Sequence, residues 1–171
     1  MRVHNFNAGP AVLPLPVLQK VQEELTELPG LGMSVMEMSH RSKDFDAILD
    51  RAENGLRQLL GLSSDYAVLF LGGGASLQFS MAPMNLLKDG AKADYLVHGS
   101  WGVKALKEAQ REGAAREAAS TKSVAFRRVP NADEISLDPE AKYVHFTSNE
   151  TIEGVQWASE PETNGVPLIC D

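Results

Sequence analysis

The stretch ADYLVHGSWGVKALKEAQREG (residues 93–113) decides the fold. ADYLVHG reads as a short strand and WGVKALKEAQREG as a helix, the strand–turn–helix unit from which parallel sheets are built. The same unit is expected upstream. There YAVLFL (66–71) is a continuous apolar run suited to a strand buried on both faces, and it passes through GGGAS into the helical stretch LQFSMAPMNLL (77–87). Downstream, SVAFRRV (123–129) and KYVHFTSN (142–149) read as further strands, and VPLICD (166–171) as a last apolar run. AREAAS (115–120) reads only as a weak alanine-rich patch. Strands alternating with helices predict an α/β fold, with a mostly parallel central sheet flanked by helices.

Further toward the start, Val17, Leu18, Val21 and Leu25 recur at helical spacing from Pro16 until Pro29-Gly30 stops them. Ser42 is placed to cap a second helix, whose stripe of Phe45, Ile48, Leu49, Leu56, Leu59 and Leu60 ends before Gly61. The polar, methionine-rich segment between them, GLGMSVMEMSHRS (30–42), has a length that often carries function. Residues 1–15, broken by Gly9-Pro10 and Leu13-Pro14, predict an extended arm, and residues 16–171 a single domain.

The chain has 171 residues, 43% of them hydrophobic, with 16 Lys and Arg against 23 Asp and Glu. That length supports a real core. A net charge of −7 argues against a broad phosphate-neutralising surface, so no nucleic-acid partner is expected. One cysteine, Cys170, excludes an internal disulfide and reads as a small buried residue, and four histidines without ligand spacing suggest no metal. MRVHNFNAGP has no apolar core of a secretory signal, and no run approaches the roughly 20 apolar residues of a membrane span. Cytoplasmic localisation without membrane association is therefore expected. PLICD stops at the carboxyl end of a predicted buried strand with no helix to cover it, and the sequence is expected to be part of a longer protein.

Several motifs fall at predicted strand ends, and each has a plain structural alternative. Gly72-Gly73-Gly74-Ala75-Ser76 would let backbone N–H groups approach an anion at a helix N-terminus, or is a tight turn with Ser76 as the cap. It lacks the third glycine of the dinucleotide fingerprint and the Gly-Lys-Ser/Thr of a phosphate-binding loop. His40-Arg41 sets an imidazole beside a guanidinium shaped to grip a carboxylate or phosphate, or is a solvated loop. Trp101 is an aromatic face for a planar ring, or a packing residue. Ser148-Asn149-Glu150-Thr151 offers a hydroxyl and an amide, or is a polar turn. Asp171 is a carboxylate at the tip of a core strand, where a partner such as the protonated ring nitrogen of pyridoxal phosphate (PLP) would offset its burial; alternatively it caps a turn.

An anion cradle, an aromatic ring, a hydroxyl and an aspartate on one sheet edge together describe a PLP pocket. On FNAGPAVLP (6–14), GLGMSVMEMSHRSKDF (30–45), LFLGGGASLQF (69–79), ADYLVHGSWGVKALKEA (93–109), SNETIEGVQW (148–157) and PLICD (167–171), the sequence resembles the N-terminal half of the phosphoserine aminotransferase family, class V members of the fold-type I PLP enzymes. The resemblance runs over essentially the whole chain. It implies that Ala75 and Ser76 meet the cofactor phosphate, Trp101 stacks on the pyridine ring, Thr151 bonds the 3-oxygen region and Asp171 pairs with the ring nitrogen. His40 and Arg41 would face the substrate. Some members carry a serine where this chain has Ala8, so a side-chain contact there is not expected.

The resemblance further implies conversion of 3-phosphohydroxypyruvate and L-glutamate to O-phospho-L-serine and 2-oxoglutarate in serine biosynthesis, or the analogous pyridoxine-pathway step. It also implies a homodimer, with the N-terminal arm reaching across. The family's Schiff-base lysine, in a Gly-Ala-Gln-Lys-Asn segment, lies beyond residue 171, so these residues alone are expected to be inactive and to contain no covalent catalytic group. Two other readings remain open on the residues themselves: a non-catalytic anion- or nucleotide-binding α/β module, and a structural half-domain that needs its complement.

Overall fold

The computed structural model describes residues 2–171 and divides the chain into two compact units, Met1–Phe70 and Leu71–Asp171. In the first, residues 2–14 form neither helix nor strand, and helix α1 follows at Leu15–Glu24. Pro16 lies in its first turn, where a missing N–H breaks no helical bond. Helix α2, Lys43–Leu60, begins as the sequence predicts: the Ser42 hydroxyl accepts the Phe45 N–H at 3.2 Å. It ends at Gly61, whose left-handed backbone (φ 64°) lets its N–H return to the Arg57 carbonyl.

The expected strand at 66–71 does not form. A continuous apolar run becomes a strand only where a neighbour takes up its N–H and C=O groups, and among the described residues none pairs with it. Leu69, Phe70 and Leu71 are exposed.

The second unit carries helix α3 (Gly74–Leu86), strand β1 (Lys92–Val97), helix α4 (Ser100–Glu112), and strands β2 (Ala114–Ser120) and β3 (Tyr143–Phe146). The short strands β4 (Asn149–Glu150) and β5 (Val155–Gln156) form an antiparallel pair, and β6 spans Leu168–Cys170. The main sheet has the order β2-β1-β3-β6, and every pairing in it is parallel. This is the predicted α/β architecture.

Alternation along β1 sorts the core. Ala93, Tyr95 and Val97, with Tyr143 of β3, pack beneath Phe79 of α3 and Ala105, Leu106 and Ala109 of α4. Leu96, Val144 and Phe146 face the other way, onto Ile135, Leu137 and Trp157. Asp94 also points to that side, where Arg116 holds it in bidentate fashion, Nε at 2.7 Å from Oδ1 and Nη2 at 2.9 Å from Oδ2.

Two further expectations are corrected. The strand foreseen at 123–129 is a turn: Lys122–Val124 is a single 3₁₀ turn, and Ala125 and Phe126 then take positive φ of 54° and 56°, which no strand accommodates. The strand lies earlier, in the alanine-rich patch. Its register against β1 slips between Tyr95 and Leu96, so that Ala118 is passed over and both Ala118 and Ala119 are buried. Cys170, expected inside, is exposed, because β6 forms the edge of the sheet. No helix among the described residues is long and apolar enough to cross a membrane.

Leu96 is 1% exposed on a strand paired on both sides. Leu96→Ala is expected to lower stability by about 3 kcal/mol, measured by chemical denaturation. A loss near zero would contradict its central place.

Candidate functional site

Three chain segments leave the carboxyl edge of the sheet close together, and each brings a polar or aromatic group. Beyond β1 the chain enters α4 at Ser100 and Trp101; beyond β3 it passes Ser148 into the β4–β5 hairpin; beyond β6 comes Asp171. The N-terminus of α3 joins them. Gly73, Gly74, Ala75 and Ser76 line one cavity of about 420 Å³ with Phe79, Trp101, Ser148, Asn149, Thr151 and Asp171. All five residues expected to bind cofactor, Ala75, Ser76, Trp101, Thr151 and Asp171, therefore border the same space.

Each is held by identifiable bonds. Gly73 and Gly74 both have positive φ (89° and 62°), which turns the chain sharply into α3 and leaves its first N–H groups without helical partners. Ser76 does not cap the helix, as the structural alternative supposed; its Oγ receives Lys104 Nζ at 2.8 Å. The same ammonium stands 5.4 Å from the centroid of the Trp101 ring. Trp101 Nε1 donates to Thr151 Oγ1 at 3.0 Å, fixing the indole edge against the hairpin. The Asp171 carbonyl accepts both the N–H and the hydroxyl of Ser148, each at 2.8 Å, and its own N–H donates to Phe146. Burial raises the Asp171 carboxyl above its ordinary range, and no donor among the described residues reaches its side chain.

These groups fit a flat, phosphate-bearing ring with a basic nitrogen. Unpaired N–H groups and an ammonium suit a phosphate, an indole face suits a planar ring, and a partly buried carboxylate lacking a donor suits a protonated heterocycle. Nothing in the sequence sets Glu150 and Lys104 apart, Glu150 being part of a polar turn and Lys104 part of a charged helix. The sequence marks the need for an acceptor but not which residue supplies it: Gly99, the residue before α4, has no side chain to cap the helix, so its first N–H groups need an acceptor from elsewhere. His40 and Arg41 lie in the first unit, exposed, in the turn ahead of α2; the Arg41 N–H donates to Ser39 Oγ at 3.2 Å.

Behind the pocket, His145 stacks on Tyr95 with centroids 4.7 Å apart, and the Tyr95 and Tyr143 hydroxyls share a hydrogen bond of 2.8 Å. Burial pushes the His145 imidazole down to about 4 and raises both phenols.

A family model described as "Aminotransferase class-V" matches residues 3–164. The phosphoserine aminotransferase of Desulfosudis oleivorans is 52% identical over 171 residues, covering 99% of this chain and 47% of that protein. The Bacillus cereus phosphoserine aminotransferase is 51% identical over 170 residues, with the same shares. Among solved structures, phosphoserine aminotransferase from Bacillus circulans subsp. alkalophilus superposes with a TM-score of 0.94 at 50% identity, covering 99% of this chain and 47% of that one. The PLP-bound enzyme from Trichomonas vaginalis gives 0.90 at 35%, again with 99% and 47% covered. The chain spans about half the length of the curated relatives it matches.

Burial of a neutral His145 makes stability depend on pH. The unfolded histidine takes up a proton below about 6.5 while the folded one stays neutral until about 4. Stability is therefore full above the unfolded value and falls as pH drops from there toward the folded one. His145→Phe, which keeps a ring against Tyr95, is expected to flatten the decline by up to about 1.4 kcal/mol per pH unit in denaturation profiles. An imidazole resonance titrating near 6.5 in the native protein would refute this.

Proposed function

The chain belongs to the class-V aminotransferase family, and from that premise we propose that the whole protein of which these residues are a part is a PLP-dependent transaminase. In this reading it converts 3-phosphohydroxypyruvate and L-glutamate to O-phospho-L-serine and 2-oxoglutarate. The observation that carries it is the single cavity bordered by the α3 N-terminus, Trp101, Thr151 and Asp171.

PLP, when bound, supplies an electron-withdrawing ring through which an amino group is exchanged. The chain's own residues then divide the work. The N–H groups of Ala75 and Ser76, with the Ser76 hydroxyl and Lys104 beside it, hold the phosphate at the positive end of α3. Trp101 would hold the ring and exclude water from that side, and the Thr151 hydroxyl, which accepts the indole N–H, would serve the ring oxygen. Asp171 keeps the proton on the ring nitrogen; a carboxylate whose burial otherwise raises it gains most from such a cation. His40 and Arg41 are assigned to substrate on the resemblance, Arg41 because a guanidinium fork matches a carboxylate or phosphate in bidentate fashion. Identity near 50% to two phosphoserine aminotransferases supports this substrate choice. A homodimer in the cytoplasm, with residues 1–15 as an arm toward the partner, completes the reading.

The test uses the full-length protein with PLP, L-glutamate and 3-phosphohydroxypyruvate, following 2-oxoglutarate and O-phospho-L-serine by mass spectrometry. Both products should appear in equal amounts; turnover of neither would overturn the assignment. Asp171→Asn is expected to lower kcat on the order of a hundredfold, the scale of losing one preorganised electrostatic contact. Arg41→Ala should raise the KM for L-glutamate at least tenfold while leaving PLP affinity unchanged.

A further inference from the structure

Three consecutive N–H groups at the start of α4 find no acceptor within their own helix, and all three donate to carboxylates of the β4–β5 hairpin. Ser100 gives its N–H (3.0 Å) and its hydroxyl (2.6 Å) to Glu153 Oε1. Trp101 gives its N–H to Glu150 Oε2 at 2.9 Å, and Gly102 to Glu150 Oε1 at 2.8 Å. Glu150 has no exposed surface, and a carboxylate so enclosed is retained only where donors and a helix dipole answer its charge.

Room for it is made by glycines. A Cβ at Gly99 would fall within 2.6 Å of Glu150 Cγ, Cδ and Oε2, and one at Gly102 within 3.2 Å of Oε1. The next hairpin residue, Thr151, takes the indole N–H of Trp101. Trp101 is thus gripped at its backbone and at the far end of its ring by adjacent residues of one turn.

We propose that Glu150 is a positioning residue for Trp101: by seating both oxygens across the first turn of α4, it sets the angle and depth at which the indole faces the cavity. This rests on the cofactor reading above, which gives the ring its purpose. Glu150 does not border the cavity; its carboxylate acts on it through the backbone of Trp101 and Gly102.

The test is a double-mutant comparison on the full-length protein, reading the PLP dissociation constant and the induced circular dichroism of bound PLP, together with amide exchange in the apoenzyme. Trp101→Phe is expected to weaken PLP about tenfold. Glu150→Gln, which removes the charge and turns one acceptor into a donor, should weaken it to a similar degree, diminish the dichroism and speed exchange at Trp101 and Gly102 at least tenfold. Because the two residues act in series, the double variant should bind PLP no more than about twofold worse than Trp101→Phe alone. Glu150→Asp, which keeps the charge but withdraws it, should fall between wild type and Glu150→Gln, and it serves if the latter fails to fold.

Multiplicative effects would overturn the positioning role, as would unchanged dichroism in both Glu150 variants. A Trp101→Phe protein that binds PLP as well as wild type would instead overturn the cofactor reading on which the role depends.

Discussion

Parallel pairing of β1 with both β2 and β3, and of β3 with β6, is the constraint on which the second unit depends. Parallel strands cannot be joined by tight hairpins, so each connection must cross a face of the sheet. Part of that crossing is α4, which returns the chain from β1 to β2 over the face occupied by Tyr95. The same constraint sends every strand out at one edge. Trp101, Ser148 and Asp171 come from three segments far apart in sequence, yet each follows a strand end on that edge. The edge also leaves N–H groups and carbonyls beyond the last ladder bonds, and it is there that Ser148 and Asp171 tie to one another.

Charge is handled differently on the two sides of the sheet. On the side away from the helices, buried Asp94 accepts from Arg116 and from the Asp138 N–H at Oδ2, while Oδ1 lies 2.7 Å from Nε of the same guanidinium. On the helix side, Tyr95, Tyr143 and His145 carry polar atoms without net charge, and burial keeps them neutral. At the edge between them Glu150, Glu153 and Asp171 crowd together. Glu150 is raised first by burial and then by these two like charges, while the N–H groups of Gly102 and Trp101 pull the other way. The helix N-terminus and the acidic hairpin therefore stabilise one another.

The legible parts of the fold were those decided locally. Ser42 before a clear apolar stripe and Gly61 after it mark α2 from the chain alone. The strands β1, β3 and β6 are apolar enough to announce themselves. The alanine-rich β2 was not, since Ala, Arg and Glu prefer helix; pairing with β1 and a slipped register make it a strand, and neither is written in its own residues. The converse holds at 66–71 and 123–129, where strand-like composition lacks a partner in one case and meets two positive-φ residues in the other. In the site, residues with distinctive chemistry could be named in advance. Glu150 could not, because its importance arises from an acceptor deficit at Gly99 that only three-dimensional proximity connects to it.

Those long-range ties also govern when the pocket comes into being. Glu150 and Trp101 stand 49 residues apart, and Ser148 and Asp171 are 23 apart. Closing such loops costs entropy before any contact repays it, so these bonds are among the slow, non-local events of folding. During synthesis α4 emerges well ahead of the hairpin that caps it, and Trp101 has neither of its anchors until Glu150 and Thr151 have arrived. A growing chain thus has the glycine turn early and the finished pocket late.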